Sequence, residues 1–436
     1  MAKVYFETYG CSYNKADTRI MENLVSRKHD IVDEISLADV IVLNTCYVKT
    51  STEHRIVNRI KEIASKYPEK KMIIAGCMTV VDREKAIASN PRASLVGPQD
   101  IDRIVEAIDK TLEGETVYYI LYKRLDKSAL PKLWRKNEVI RIIQICEGCA
   151  DACRYCCTRL ARGPIFSFKI ENIVEEVRRG VLEGAKEFWL TAQDTSAYGI
   201  DSGENLAELV KKVTEVNGQF YVRIGMMNPH HTLKILDELI EAYNSPKVFK
   251  FLHLPVQSGS NRILKMMRRR YSVEEAEHVI ESFRRVFPKL TFATDIIVGY
   301  PGEEEEDFVK TLEFLERTRP DIVNLSKFGK RPGTDVEVVK GYDIRVLKDR
   351  SRRAYELVSR LQLEGNRKWI GWRGKVLVDE KIGGDSVGRN EYYKNIVLRQ
   401  DFELGTLLEV EVIDAAPHFL LGKAACTTKN DILRNF

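Results

Sequence analysis

Between residues 139 and 330 the chain repeats a strand-then-helix pattern six times, and that repetition narrows the fold more than any other feature. Apolar, β-branched runs at 139–145, 187–194, 220–227, 250–257, 291–299 and 322–328 read as strands, with helical stretches such as 171–182 and 304–317 between them. Strands joined through helices pair in parallel. Six such units are two short of a closed eightfold barrel, so the expectation is an open, partial (β/α)6 barrel with its site at the carboxyl ends of the strands.

The first hundred residues carry the same alternation in a separate layer. Strand patterns at 4–9, 40–45 and 71–76 alternate with helical stretches through 20–25 and 56–64, which predicts a parallel α/β domain. Each of these three strands runs into a cysteine: Gly10-Cys11, Thr45-Cys46 and Gly76-Cys77. The carboxyl ends of parallel strands share one edge, where ligands of open α/β sheets bind, so the three thiols are expected to converge and to hold an iron-sulfur cluster. Three core cysteines ending three strands by coincidence is the plainer alternative.

Directly after the first barrel strand stands Cys149-Ala-Asp-Ala-Cys153-Arg-Tyr155-Cys156. A CxxxCxxC run supplies three thiolates to a four-iron cluster and leaves one iron without a protein ligand, whereas ferredoxin-type clusters use four thiolates and zinc sites pair two knuckles. Structural cysteines or a zinc knuckle are the competing reading. Cys146 and Cys157 flank the run outside its spacing and read as packing thiols.

At 436 residues with a formal charge of +5, the chain is long enough for two or three domains and only mildly basic, which permits a nucleic-acid partner without arguing for one. No apolar run approaches a membrane span, and nine cysteines without a signal peptide point to reduced thiols in the cytoplasm. Residues 123–136 are basic, contain Pro131 and read as a linker able to touch phosphate; beyond residue 371, short strands punctuated by Gly383-Gly384, Gly388 and Gly405 read as a small all-β barrel. Any RNA grip by that barrel rests on Arg389, Tyr392 and Tyr393, and a structural cap is the alternative. The domains expected are thus 1–112, a linker at 113–138, 139–370 and 371–436.

The CxxxCxxC run, the three separated N-terminal cysteines and the terminal barrel together resemble the radical-SAM methylthiotransferases along essentially the whole chain. Five stretches are similar to the archaeal and eukaryotic branch that acts on N6-threonylcarbamoyladenosine beside the tRNA anticodon. They are Thr8-Tyr-Gly-Cys-Ser12, Leu43-Asn-Thr-Cys46, Leu190-Thr-Ala-Gln-Asp194 with its continuation to Gly199, His253-Leu-Pro-Val-Gln-Ser258 and Asp295-Ile-Ile-Val-Gly299 with its continuation to Glu303. The resemblance implies two 4Fe-4S clusters, an auxiliary one on Cys11, Cys46 and Cys77 and one on Cys149, Cys153 and Cys156 that binds S-adenosylmethionine (SAM). It also implies a TRAM-like C-terminal domain, conversion of the target adenosine to its 2-methylthio derivative in the anticodon loop, and outside donors of electrons and sulfur. A monomer is expected. Members that act on isopentenyladenosine or on a ribosomal-protein aspartate are the near alternatives, and a non-catalytic iron-sulfur RNA-binding or electron-transfer protein is the distant one. Eukaryotic members end in an apolar membrane tail, whereas this chain ends in the polar run 429–436, so a soluble, archaeal protein is expected.

The same resemblance implies SAM contacts from Tyr155, Gln193, Asp194, Arg223, His253, Gln257 and Gly299. Gln193 and Asp194 end the second barrel strand, where acceptors suit the SAM ammonium, although Asp194 equally suits a helix cap. Arg223 suits the SAM carboxylate or a structural ion pair. Strand alternation puts His253 and Gln257 on one face of the fourth strand, toward the lumen. Gly299, with Pro301 and Gly302, would let the backbone pass close to adenine.

Overall fold

The computed structural model describes residues 1–135, 138–337 and 344–425; Lys136 of the basic segment and the polar tail 429–436 lie outside them. The N-terminal sheet comprises β1 (Lys3–Thr8), β2 (Asp30–Val32), β3 (Val40–Thr45), β4 (Lys71–Gly76), β5 (Ser94–Val96) and β6 (Tyr118–Tyr119), all parallel, in the order β2-β1-β3-β4-β5-β6. β3 is buried at every residue because helices cover both faces. Ile41, Leu43, Ile74 and Leu95 pack on one side with Ile56, Ile60 and Ile63 of the helix Thr50–Lys66; Val4, Val42, Ile73 and Val96 pack on the other with Ile20 and Ile104.

Six further strands, β7 (Ile140–Gln144), β8 (Glu187–Thr191), β9 (Tyr221–Ile224), β10 (Phe251–His253), β11 (Thr291–Val298) and β12 (Ile322–Lys327), form two parallel three-stranded sheets. The Val222–Val248 bridge and a 2.9 Å bond from Met227 N–H to the His253 carbonyl join β9 to β10, so the six make one open arc. Val222, Ile224, Leu252, Ile296 and Val298 face the surrounding helices. Alternation therefore turns Trp189, Arg223, Phe251, His253, Asp295 and Asn324 inward.

Residues 373–424 close a five-stranded barrel: β13 (Arg373–Ile382), β14 (Asp385–Arg389), β15 (Asn395–Leu398), β16 (Leu407–Ala415) and β17 (Leu420–Ala424), ordered β13-β14-β15-β17-β16. It caps the amino ends of the arc. Lys250 N–H donates to the Glu391 carbonyl at 2.8 Å, Lys394 pairs with Asp321 at 2.6 Å, and the Tyr393 ring lies 4.8 Å from that of Phe251.

This docking corrects the expectation that Arg389, Tyr392 and Tyr393 grip RNA. Arg389 is turned in toward Asp379 and Asn395, Tyr392 packs on Trp369, and Tyr393 on Phe249 and Phe251.

The basic segment before β7 is likewise not a free linker. Lys127 is fully buried, 2.8 Å from both Asp17 and Glu147, and Lys132 is bonded to Glu176. Arg162 reaches the same Asp17 and Glu147 at 2.8 and 2.7 Å, with the Tyr13 ring 4.3 Å away. Two buried cations thus cross-link two buried carboxylates that belong to different layers, and no phosphate can reach Lys127.

Candidate functional site

The N-terminal cysteines do converge. A Cβ on Gly10 would stand 2.5 Å from that of Cys46, so only glycine, here at φ 111°, lets the Cys11 loop close on the Cys46 loop. Asn14, one turn into the helix Ser12–Val25, ties the three loops together. Its amide donates to the Tyr9 and Thr45 carbonyls at 3.0 and 2.9 Å, and its oxygen lies 4.0 Å from Cys77 Sγ. Cys46 and Cys77 are buried while Cys11 is exposed. Burial, with Cys77 and Cys11 alongside, pushes the Cys46 thiol up to about 12. Three thiols brought together with no disulfide between them are a donor set suited to a cationic iron cluster. Arg162, bonded to the Asn14 oxygen at 2.7 Å, puts a buried positive charge beside Cys77.

The second set sits in the loop after β7. Each sulfur meets a donor: Cys149 Sγ lies 3.4 Å from Asp151 N, Cys153 Sγ 3.4 Å from Arg269 Nη1 and Cys156 Sγ 3.4 Å from Thr158 N. These N–H groups favour negative charge on sulfur against the burial that pushes the Cys149 and Cys156 thiols up, and the set suits a cluster held by three cysteines. Cys146 and Cys157 are buried, the latter with Sγ 3.5 Å from the Tyr47 carbonyl.

Around this loop the structure gathers Asp151, Asp194, His231, Asn228 and Arg270. The carboxylate and imidazole atoms lie within 4.8 Å of one another, and Arg270 pairs with Asp151 while standing 3.3 Å from His231 Nε2. Burial would push Asp151 up, yet the His231 and Arg270 contacts outweigh it and hold the carboxyl at about 2. Asp194 has two roles, one per oxygen. Oδ1 accepts from Ser196 N and Asn228 N, while buried Oδ2 has no partner and faces His231 at 3.9 Å. Carboxylates and a guanidinium side by side fit a zwitterionic amino acid better than a bare divalent cation.

The other expected contacts are dispersed. Gln193 Oε1 accepts from Gly148 N at 2.8 Å and so holds the entry to the cysteine loop. Tyr155 packs with Ile263, Met267 and Tyr300. Gly299 N–H is taken by Glu303 at 2.9 Å. Arg223 lies 5.0–5.4 Å from the rings of Trp189, Phe251 and Tyr393, on the floor made with the C-terminal barrel, and makes no hydrogen bond or ion pair among the described residues. At the cysteine loop, Arg269 touches Cys153, Arg270 pairs with Asp151 and Arg159 donates to the Asp151 carbonyl at 3.3 Å. His253 does face the lumen, with Nε2 3.1 Å from Asp295. Gln257 does not share its strand: β10 ends at His253, and Gln257 takes a left-handed φ of 77° beyond Pro255, which breaks the alternation.

Among known proteins, residues 143–315 match the family model described as the radical SAM superfamily, and residues 3–97 match one described as uncharacterized protein family UPF0004. A protein of Pyrococcus horikoshii, described as a probable threonylcarbamoyladenosine tRNA methylthiotransferase, is 44% identical over 97% of this chain and 99% of its own. The chain belongs to the threonylcarbamoyladenosine tRNA methylthiotransferase family. The human member is 34% identical over 98% of this chain and 75% of its own. A radical SAM methyltransferase of Kitasatospora setae, TsrM, superposes with a TM-score of 0.55 at 10% identity over 89% of this chain and 81% of that one, a likeness of fold alone. Iron-sulfur chemistry and SAM are therefore used by this family member, and among its described residues no helix is long and apolar enough to cross a membrane.

Several residues of the site were not singled out from sequence. Arg269 and Arg270 sit in the run Met267-Arg-Arg-Arg-Tyr271, three consecutive arginines after the fourth strand, and that run was their only signal. Asp151 lay inside the cysteine motif itself. Asp17, Lys127, Glu147 and Arg162 carried none, because their partners are up to 148 residues away in sequence.

Proposed function

We propose that this chain replaces C2–H of N6-threonylcarbamoyladenosine, next to a tRNA anticodon, with a methylthio group. In this reading Cys11, Cys46 and Cys77 hold one 4Fe-4S cluster and Cys149, Cys153 and Cys156 hold another. Asp194 and Asp151 receive the SAM ammonium, Arg270 its carboxylate, and Tyr155 closes the apolar side. Arg269 steadies Cys153, and Gln193 sets the loop. The clusters and SAM supply sulfur, methyl and a carbon radical, which an aromatic C–H bond inert to acid-base chemistry requires. The protein's own residues bind, orient and exclude water. SAM would supply both the methyl group and the radical, and outside donors the electrons and the sulfur that a cluster delivers. The chain acts as a monomer in the cytoplasm, with residues 1–112, 139–370 and 371–436 as its domains and the last as the TRAM-like one.

The observation that supports this reading is that both three-thiol sets follow the carboxyl ends of parallel strands, joined by the Ser12–Thr191 bond, while Tyr393 and its neighbours pack at the amino ends. Ser12, next to Cys11, is bonded to Thr191 of the barrel at 3.0 Å, which brings the two sets to one cleft. A target base must be splayed from the RNA into such a cleft.

The test is mass spectrometry of nucleosides after anaerobic incubation of threonylcarbamoylated tRNA with reconstituted protein, SAM, sulfide and reductant. A methylthio increment on that nucleoside alone is expected. SAM cleavage with an unchanged nucleoside overturns the substrate, and no cleavage by fully clustered protein overturns the chemistry.

A further inference from the structure

We propose that His253, held by Asp295 and Asn324, donates a hydrogen bond from Nδ1 to N3 of the target adenine and thereby fixes C2 between the two cysteine sets. The inference rests on the reading above that an adenosine is the substrate.

The three side chains come from the adjacent strands β10, β11 and β12. Asp295 Oδ1 receives His253 Nε2 at 3.1 Å and Asn324 Nδ2 at 2.7 Å. Their neighbours Leu252, Leu254, Ile296, Val323 and Leu325 pack outward, so this polar triplet is the inward face of that wall. It is only partly buried, with His253 12% and Asp295 27% exposed, and His253 Nδ1 has no partner among the described residues. A carboxylate on Nε2 fixes the orientation of the ring, and the donor proposed at Nδ1 is the second N–H of its imidazolium form. Burial works against the Asp295 carboxylate, yet His253, Asn324 and Lys49 together hold its pKa below the usual range, so it stays ionised beside the ring.

Position gives this donor its meaning. Pro255, two residues beyond His253, has its carbonyl held by Arg269 Nη2 at 2.9 Å, and Arg269 Nη1 touches Cys153 Sγ. On the other side Lys49, three residues after Cys46, lies within electrostatic reach of Asp295. The triplet therefore spans the gap between the two sets. Below it, Phe251, Arg223, Trp189 and Tyr393 close the lumen, so a base entering from the open end stops at this level.

In adenine, C2 lies between N1 and N3. The ureido N–H of a threonylcarbamoyl group can reach N1 of its own base, which leaves N3 as the free acceptor beside the reacting carbon. A charge-assisted bond to N3 orients C2 without touching it.

The test uses anticodon stem-loop RNA bearing threonylcarbamoyladenosine or its 3-deaza analogue, with holoenzyme that is wild type or His253→Gln. Glutamine keeps a donor near the Nε2 position and has none at Nδ1. We expect about tenfold or greater loss of methylthio product from either change alone and little further loss from both together. RNA-independent cleavage of SAM in His253→Gln should stay within about twofold of wild type, and His253→Asn, whose amide can occupy the Nδ1 position, should recover part of the activity. Losses that multiply, or SAM cleavage that falls with product, overturn the proposal. If His253→Gln does not fold, undiminished use of the 3-deaza RNA by wild type overturns it by itself. Wild type that leaves the natural RNA unmodified fails the functional reading instead.

Discussion

The two cysteine sets reach the same cleft by opposite routes. Cys149, Cys153 and Cys156 occupy one eight-residue loop whose own backbone and Arg269 supply a donor to each sulfur. Cys11, Cys46 and Cys77 come from three strand ends, and their convergence depends on the sheet, on Gly10 and on the Asn14 side chain. A local site is written in its spacing; a distributed one is only as sound as the fold that assembles it. The distributed set should therefore respond to changes in packing far from any thiol, and the local set should not.

The largest effect expected is at the local set. Cys153→Ala removes a ligand that no neighbour can replace, so cleavage of SAM to 5'-deoxyadenosine should fall to background, and bound iron should drop by about four per chain, one four-iron cluster. Iron analysis with nucleoside chromatography checks both.

The distributed set should break from a distance. Arg162→Met leaves Asp17 and Glu147 buried with Lys127 alone and takes positive charge from beside Cys77. A cost of about 3–5 kcal/mol is expected in denaturant unfolding, together with loss of iron from the N-terminal set before the other. Equal loss from both sets would end the contrast drawn here.

The amino end of the barrel gives a pH signature. Burial and the neighbouring Asp379 push Glu187 up to about 8, and burial raises Asp379 to about 6 despite Arg389. Both folded values exceed the ordinary ones of 4.5 and 3.8, so the folded state binds these protons more tightly than the unfolded chain. Their contribution is full below about pH 4 and is lost as pH rises through about 8. Glu187→Gln should flatten that slope and raise Tm at pH 8, as calorimetry across pH 5–9 would record.

The smallest effect is at the barrel seam. Lys394→Ala loses the bonds to Asp321 and Asn366 and should cost about 1–2 kcal/mol without altering iron content.

What was readable in the sequence follows the same division. The six strands of the arc were legible because each carries its own apolar run, and the thiol loop because its spacing is local. Strand-end cysteines became legible only through the rule that parallel strands share an edge. Lys127 and Lys132 read as a solvated linker because charge in a sequence signals solvent unless its partner is visible, and Asp17 lies 110 residues from Lys127. The alternation from His253 to Gln257 failed at Pro255, where the backbone leaves the strand and no longer alternates. Arg389, Tyr392 and Tyr393 looked like an RNA grip because composition cannot show which face of a barrel docks on a neighbour.

The division of labour between the two sets is tested most directly by Cys46→Ala holoenzyme given SAM, reductant and threonylcarbamoylated tRNA. 5'-Deoxyadenosine should form at near the wild-type rate while the methylthio nucleoside is absent. If SAM cleavage disappears along with the product, the two sets are not separate sites with separate tasks. If the product persists, a cluster on the strand-end cysteines is not what delivers its sulfur.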